Sequence, residues 1–446
     1  MLADSSQGGE KRAMTQPNDA VGNRQTGSSG AAWAAWFLGS LFYCYGYFHR
    51  VAPSVLTDDL MREFSASGAI LGNLTAFYFY AYAGCQIPIG LMIDRFGPRR
   101  MLTAAALLCG AGSLLFGLAQ GTGMAYLGRA FVGAGAGVAW LGTLQTAGLL
   151  FPARRFALLS GMTLMMGMIG AIGAQAPLAV LVEAVGWRAS LVASGVASAA
   201  LAALIWLTVR GAAARGAQHH VSGGLASLLS GLRQAAVRPQ TWFCGIYGAG
   251  LGGPLLAFAG LWGVPYMMQA YGLDRPGAAF CTTLLLIGWA IGAPLSGWLS
   301  DRMGSRRVPM LVASSGGFAT FALALYLPGL PLIAVQALLL VHGIFAGAMI
   351  LAFVTAREHN DRSVAATVMA LVNITVMGCA AGFQPLIGWL LDLGWDGRLV
   401  DGARVYSAGG FEIALLTLVI GCAAAVLAAV LLRETHCRQV DIRPEG

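Results

Sequence analysis

Twelve long apolar runs, with few charges inside them, constrain the fold of this chain more than any other feature. Of the 446 residues, 57% are hydrophobic and only 10% are charged, whereas a soluble domain carries about 25% charged residues. A helix needs about 20 apolar residues to cross a bilayer. We therefore predict an all-α membrane protein with twelve transmembrane helices, and we exclude a cytosolic enzyme, a nucleic-acid-binding protein and a secreted disulfide-bonded domain.

The predicted helices form two sets of six, separated by an interior polar stretch. The first set is 32–56, 68–93, 101–119, 122–150, 156–183 and 190–209, and the second is 241–270, 277–300, 308–327, 331–356, 364–391 and 410–433. The predicted domains are a disordered cytoplasmic tail at 1–30, an N-terminal six-helix half at 31–209, a cytoplasmic linker at 210–240, a C-terminal six-helix half at 241–434 and a cytoplasmic tail at 435–446. The linker contains one amphipathic turn around 225–232.

The distribution of arginine predicts the orientation of the chain in the membrane. If the N-terminus is inside, 14 arginines lie in the inner loops and only five in the outer loops, as the positive-inside rule requires. Both termini are therefore predicted to be cytoplasmic. Composition rich in alanine and arginine, with Lys11 as the single lysine, favours the inner membrane of a bacterium. Two basic residues, Arg50 and Arg129, lie inside predicted spans, where a charge normally has a partner or a function.

The eight cysteines show no spacing typical of metal ligands, and most lie within apolar runs. Small packed hydrophobic side chains explain them better than disulfides or metal sites do. We expect neither a metal nor a cofactor. The expected partners are a small-molecule substrate and the lipid bilayer, with no nucleic acid, and the protein is expected to be a monomer.

A charged motif occurs at equivalent positions in both halves, after the second and the eighth predicted span. Each copy reads Gly, three residues, Asp-Arg, one residue, Gly, one residue, Arg-Arg. The first copy comprises Gly90, Asp94, Arg95, Gly97, Arg99 and Arg100, and the second comprises Gly297, Asp301, Arg302, Gly304, Arg306 and Arg307. We expect each aspartate to pair with an arginine and to hold neighbouring helix ends in one conformation. Parallel halves of this kind are typical of transporters with a site near the membrane midplane.

The paired loops resemble the signature of the major facilitator superfamily, and the likeness covers the chain from Ala31 to Glu434. The fourth span adds Arg129-Ala-Phe-Val-Gly133-Ala-Gly135, which is similar to that family's Arg-x-x-x-Gly-x-Gly motif. The resemblance implies a secondary active transporter that works by alternating access. Within the family, the end of the first span, Tyr45 to Arg50, is similar to the organic anion symporters and organophosphate antiporters. In those proteins the first-span arginine binds the anionic group of the substrate.

We therefore predict that Arg50 binds an anionic substrate. Its planar guanidinium suits bidentate binding of a carboxylate or phosphate. Tyr78 and Tyr82 share one face of the second span because they are four residues apart, and with Tyr47 they could surround an anion held by Arg50. The alternatives are that Arg50 extends toward the outer headgroups and that the tyrosines form an interfacial belt.

The remaining binding candidates are polar or aromatic residues of other spans. The seventh span has no arginine, which favours a carboxylate over a dianionic phosphate; its Gly252-Gly253-Pro254 sequence suggests a bendable helix. A packing role is the alternative for every member of this group. The candidates are Gln145, Gln175, Tyr247, Trp262, Tyr266, Asn373 and Gln384.

We predict uptake driven by proton symport. The candidate coupling residues are His49, Arg129 and His342. A histidine next to an arginine can titrate near neutral pH. However, the fourth-span glutamate of related symporters is Ala136 here. The alternative function is a proton-antiport efflux pump for drugs or siderophores; its fifth-span Gly-Pro pair is absent, since Pro177 follows Ala176. An enzyme is not expected, because the acidic residues lie at the ends of the spans.

Overall fold

The computed structural model describes residues 29–209, 225–361 and 364–439. The expected disordered tail lies outside the described residues except for its last two positions, and so do 210–224 of the linker and 440–446 of the C-terminal tail. The described part is almost entirely α-helical. The prediction of an all-α membrane protein is confirmed.

The helices follow the apolar runs closely. Before the linker they are α1 (Ser29–Val51), α2 (Thr57–Phe64), α3 (Gly68–Gly117), α4 (Thr122–Leu150), α5 (Ala153–Gly173), α6 (Ala176–Val185) and α7 (Trp187–Thr208). The linker contains α8 (Leu225–Val237). After it come α9 (Pro239–Ala257), α10 (Gly263–Tyr271), α11 (Arg275–Met303), α12 (Arg307–Tyr326), α13 (Leu332–Ala346), α14 (Ile350–Glu358), α15 (Ala365–Leu393) and α16 (Ala408–Leu431). A two-stranded hairpin, β1 (Leu399–Val400) and β2 (Ala403–Arg404), joins α15 to α16.

Ten helical segments of the described chain are long and apolar enough to cross a membrane. Two predicted spans are not among them: α1, and the part of α3 before its break at Gly97, where φ is 75°. Both are helical, but they contain many of the tyrosines and polar residues discussed below, and these lower the mean hydropathy. Large apolar side chains are exposed along the helices, including Ile333 (71%) and Ile413 (69%), as expected where lipid is the solvent.

Three of the predicted spans are interrupted. The fifth breaks between α5 and α6 at Gln175, whose φ and ψ are −102° and −115°. The seventh contains a π-helical turn, Phe258–Trp262, between α9 and α10. The tenth contains a short 3₁₀ turn, Gly347–Met349, between α13 and α14. Such irregular backbone is stable inside a membrane protein where it is buried by other helices, and all five residues of the π turn are buried.

The membrane helices before and after the linker are called here the N-terminal and C-terminal helices. The linker face is the side where α7 ends and α9 begins, and the distal face is the opposite side. At the distal face the two groups pack together: the 3₁₀ turn Ala52–Val55 contacts the π turn, and α3 contacts α15. An ion pair joins Asp59 to Arg275 at 2.9 Å, with both side chains about 15% exposed. The structure is therefore closed at the distal face.

Gln175 makes three hydrogen bonds in this closure. It is fully buried, its Oε1 accepts from Thr282 Oγ1 at 2.7 Å and from Ser54 Oγ at 3.3 Å, and its Nε2 donates to the Ala259 carbonyl at 2.7 Å. Thr282 and Ala259 belong to the C-terminal helices, whereas Gln175 and Ser54 belong to the N-terminal helices. The amide therefore connects the break in the fifth span to the π turn in the seventh.

Candidate substrate site

Arg50 lies in the last turn of α1 with its guanidinium buried among three tyrosine rings. Its Cζ is 4.2 Å from the ring centroid of Tyr47, 5.1 Å from that of Tyr82 and 5.7 Å from that of Tyr78. The residue is only 4% exposed, so it does not extend into solvent or headgroups. The sequence prediction that these four residues come together agrees with this geometry.

The charge of Arg50 has no carboxylate partner within the described residues. None of the seven ion pairs of that part of the chain includes it, and its Nε is buried without a hydrogen-bond partner. Cation–π contacts with tyrosine contribute about 0.5–2 kcal/mol, whereas an unpaired buried charge is far more costly. The arrangement therefore favours an external anion at this position.

The C-terminal helices supply the opposite wall of the site. The ring of Trp289 on α11 is 6.2 Å from that of Tyr47. A Cβ placed on Gly260 of the π turn would lie 3.2 Å from Gln384 Nε2 and 3.6 Å from the Arg50 carbonyl oxygen. Gln384 is fully buried, and neither its Oε1 nor its Nε2 has a hydrogen-bond partner in the described structure. Both groups of helices therefore present polar groups to the same region.

Other predicted binding residues occupy different places. The hydroxyls of Tyr247 and Tyr266 donate to the carbonyls of Ala348 and Leu325, within the C-terminal helices. Trp262 Nε1 donates to the Gln384 carbonyl at 2.9 Å and so supports the wall of the site. Remaining candidates are half-buried: Gln145 on α4 and Asn373 on α15. None of the contacts described for Tyr247 or Tyr266 involves Arg50.

His49 and Arg129 face the interior of the N-terminal helices. His49 Nε2 is 2.8 Å from Ser194 Oγ on α7, and its Nδ1 is buried without a partner. Arg129 donates from Nη1 to the His49 carbonyl at 2.7 Å and from Nη2 to the Thr75 carbonyl at 3.3 Å. Arg129 therefore ties α4 to α1 and α3 through backbone atoms, and its Nε is buried without a hydrogen-bond partner among the described residues.

His342 lies within the packing of the C-terminal helices. Its Nδ1 is 2.9 Å from the Gly317 carbonyl, and its ring stacks on Phe321 with centroids 4.3 Å apart. The residue is fully buried. Its Nδ1 is therefore paired between α12 and α13, whereas its Nε2 is buried without a hydrogen-bond partner among the described residues.

The second copy of the charged motif forms the aspartate–arginine pair that the sequence predicts. Arg306 Nη1 donates to Asp301 at 2.7 Å, and Arg306 Nη2 donates to Glu358 at 2.9 Å. Arg306 and Glu358 are each 8% exposed in their side chains. In the first copy, Arg99 Nε donates to the Trp206 carbonyl at 3.0 Å, and the side chain of Asp94 lies outside the described residues.

The sequence profile of the Major Facilitator Superfamily matches residues 36–385, with a second match at 264–441. The chain belongs to the Major Facilitator Superfamily. Members of this superfamily are membrane transporters, so this protein is a transporter and not an enzyme.

Relatives of this facilitator include carriers of organic anions. It is 27% identical to a probable sulfoacetate transporter of Cupriavidus necator over 60% of its own length and 64% of that protein. It is 24% identical to a gentisate transporter of Corynebacterium glutamicum, covering 90% of its own length and 86% of the relative. In fold it is similar to a bacterial homologue of the human lysosomal transporter Spinster, with a TM-score of 0.74, 17% identity and coverage of 91% and 98%.

Glu434, in the segment after α16, caps the N-terminus of α12 at the second charged motif. The carboxylate of Glu434 accepts from Ser305 Oγ at 2.5 Å and from the backbone amides of Arg306 at 2.8 Å and Arg307 at 3.1 Å. These amides begin α12, so Glu434 supplies the acceptor that a helix N-terminus lacks. Burial raises the pKa of Glu434, but the hydrogen bonds outweigh it and lower the pKa from 4.5 to about 2.

Replacing Glu434 with glutamine should lower the free energy of unfolding of the facilitator at pH 7 by about 1 kcal/mol, the usual cost of a lost helix cap. A carboxylate with a depressed pKa stabilises fully above its unfolded pKa, and this stabilisation is lost as pH falls through the folded pKa. The difference between the two proteins should therefore shrink as pH falls from 4.5 toward about 2. Thermal unfolding in detergent measures it. Glu412→Gln, at an exposed residue of α16, is the control and should show no such difference.

Some residues of the site and its closure have no distinguishing signal in the sequence. Trp289 is one of eleven tryptophans, and nothing in its local sequence distinguishes it from a lipid-facing side chain. Gly72 and Gly388 are also unremarked in the sequence, although α3 and α15 cross at these glycines. Only the pairing of distant helices reveals their roles.

Proposed function

We propose that this protein is a secondary active transporter for small organic monoanions of the carboxylate type, working by alternating access. The observation that carries the proposal is the buried guanidinium of Arg50, which has aromatic neighbours and no carboxylate partner in the described structure. A carboxylate would complete the charge and accept two parallel hydrogen bonds from the guanidinium. Two relatives are named for anions: a gentisate transporter, whose substrate is a monocarboxylate, and a probable sulfoacetate transporter, whose substrate has a carboxylate and a sulfonate. Both names support an anionic substrate, and gentisate matches the single charge proposed here.

A single negative charge matches this site better than two. Arg129 is the other buried arginine of the N-terminal helices, and each of its terminal nitrogens donates to a backbone carbonyl in the interior of those helices, that of His49 or that of Thr75. The seventh span supplies no arginine. A second charge on the substrate would therefore be buried without compensation, which is costly.

The wider architecture completes the proposal. We infer twelve spans in two halves, because α1 and the first part of α3 pack with the ten more apolar helices. We propose that the linker face is cytoplasmic, because arginine is in excess in its loops, and that the protein is a monomer in the inner membrane of a bacterium. Proton symport is proposed as the energy source. His49 is the preferred coupling group because it is adjacent to Arg50 in α1, its Nδ1 has no hydrogen-bond partner among the described residues, and Arg129 bonds its carbonyl.

A ligand panel tests the proposal on the purified, detergent-solubilised protein. Each carboxylate, for example benzoate, 2,5-dihydroxybenzoate or gluconate, is paired with its neutral amide, and inorganic phosphate is added as a dianion. We expect carboxylates to raise the unfolding temperature in a concentration-dependent manner, because a ligand that binds only the folded state stabilises it. The amides and phosphate should have little effect. Stabilisation by neutral or cationic compounds alone would contradict the proposal.

A further inference from the structure

The carboxylate of Asp392 joins the two groups of helices at the distal face. Asp392 lies in the last turn of α15, among the C-terminal helices, and accepts hydrogen bonds from the first backbone amides of α3, among the N-terminal helices. Gly68 N donates to Oδ1 at 2.9 Å and Ala69 N donates to Oδ2 at 2.9 Å. The next amide, Ile70 N, donates to Oγ of Ser67, the residue just before α3, at 3.3 Å. Asp392 therefore completes the cap of α3 from the opposite group.

Side chains of the C-terminal helices orient the carboxylate for this contact. The Tyr406 hydroxyl donates to Asp392 Oδ1 at 2.7 Å, and Arg404 Nη1 donates to the same oxygen at 3.0 Å. Arg404 is held in turn by Trp395, with Cζ 4.1 Å from the ring centroid. The segment between α15 and α16 thus orients the acidic group, and its Tyr406 hydroxyl also accepts from Gly68 N of α3 at 2.9 Å.

Close backbone packing brings the carboxylate to the helix end. A Cβ on Gly388 would lie 2.0 Å from the Gly68 carbonyl oxygen, and one on Gly72 would lie 2.4 Å from the Gln384 carbonyl oxygen. The two helices therefore touch through backbone atoms at the closure. At this separation the negative charge of Asp392 lies directly on the positive end of the α3 dipole.

We propose that Asp392 is a positioning residue of the transport cycle, which holds the distal face closed by capping α3 from the opposite group of helices. The inference rests on the proposed alternating access, in which this face must open. The contact suits a reversible closure, because water can replace the carboxylate on the α3 amides when the faces separate. Asp392 would stay bonded to Arg404 and Tyr406 in both states, so opening leaves no buried charge unpaired.

Accessibility of a cysteine placed inside the closure tests this proposal without any substrate. Val55 is 1% exposed and lies in the 3₁₀ turn that packs on the π turn. Val55→Cys is reacted with a maleimide in detergent, and the parent protein provides the background from native cysteines. Adding Asp392→Asn should increase the labelling rate of this cysteine about two- to fivefold, the range expected when a charge–dipole contact is lost. Adding Tyr406→Phe, which removes one hydroxyl, should increase it less.

Asp396→Asn is the matched control. Asp396 is exposed four residues farther along, and within the described part of the chain its carboxylate accepts only from the backbone amide of Arg398 in its own loop. Labelling of Val55→Cys should stay at the parental rate in this variant. Asp392→Glu, which keeps the charge, should restore part of the protection. Equal labelling rates in the Asp392→Asn and Asp396→Asn proteins would overturn the proposal.

Transport in proteoliposomes separates this role from a general loss of stability. With substrate supplied at the distal face, Asp392→Asn should lower KM, because more carriers have that face open. It should also lower the maximal rate, because each cycle must form the closed state again. If no carboxylate is transported by the parent protein, the proposed function fails, but the labelling result still decides whether Asp392 holds the closure.

Discussion

Replacing Arg50 with alanine should abolish carboxylate binding by this transporter. Removing one member of a buried, charge-assisted pair typically costs 2–5 kcal/mol, or about 30-fold to several thousandfold in affinity. The remaining tyrosines offer aromatic surface but no positive charge. Equilibrium binding to the purified protein, measured by calorimetry with the best carboxylate of the panel, gives the affinity. Thermal unfolding of the same sample shows whether the variant is folded.

Two further variants sharpen the Arg50 experiment. Arg50→Lys keeps the charge but loses the planar fork, so binding should be weakened and not abolished. Arg398→Ala removes an exposed arginine of the loop after α15 and should leave affinity unchanged. If Arg50→Ala binds carboxylates as tightly as the parent, the anion is held elsewhere and the assignment of Arg50 is wrong.

Replacing Gly388 with alanine should prevent the distal face from closing. The new Cβ would lie 2.0 Å from the carbonyl oxygen of Gly68 and 2.3 Å from its carbonyl carbon, so the backbones of α15 and α3 would have to separate. Closing the face against the new methyl group should cost more than about 1.4 kcal/mol of strain, which shifts the equilibrium between open and closed states about tenfold. We therefore expect transport to fall by at least about tenfold. Uptake into proteoliposomes and labelling of Val55→Cys should report the loss together.

Gly382, on the same helix, provides the control. A Cβ there would meet nothing within 4 Å, and alanine is favoured over glycine in a helix interior by about 0.8–1 kcal/mol. Gly382→Ala should therefore leave the closure intact and keep or raise thermal stability. The same chemical change is thus expected to have opposite effects at two positions of α15. Equal labelling of Val55→Cys in both variants would show that the crossing does not require a glycine at Gly388.

The helices were predictable from sequence because lipid imposes a simple rule on length and polarity. The run predicted at 122–150 coincides with α4, Thr122–Leu150, and the run at 364–391 differs from α15 by two residues or fewer at each end. Interruptions were less predictable. The glycines and proline of the seventh span suggested flexibility near Pro254, and the π turn begins four residues later. The break at Gln175 depends on partners such as Thr282, which lies over 100 residues away.

The same distinction applies to the candidate site. Arg50 and its tyrosines come from the first two spans, where charge, helix periodicity and the family resemblance all indicate one region. Trp289 and Asp392 act across the two groups of helices, and their local sequences resemble those of ordinary apolar or terminal positions. Arg129 illustrates the limit in the other direction: a buried arginine suggests a functional charge, but its partners are backbone carbonyls.

Arg129 also affects how the Arg50 site is presented to the two sides of the membrane. By fastening α4 to the backbones of α1 and α3, it keeps Arg50 and the tyrosines of those helices together as one rigid cradle. We expect this cradle to turn as a unit, so that intracellular and external solutes meet the same guanidinium in the same aromatic setting. Only Trp289 and Gln384, on the C-terminal helices, would move away from the cradle or return to it. The direction of net flow would then be set by the electrochemical gradients of the substrate and of the coupled proton, and not by any asymmetry of the cradle itself.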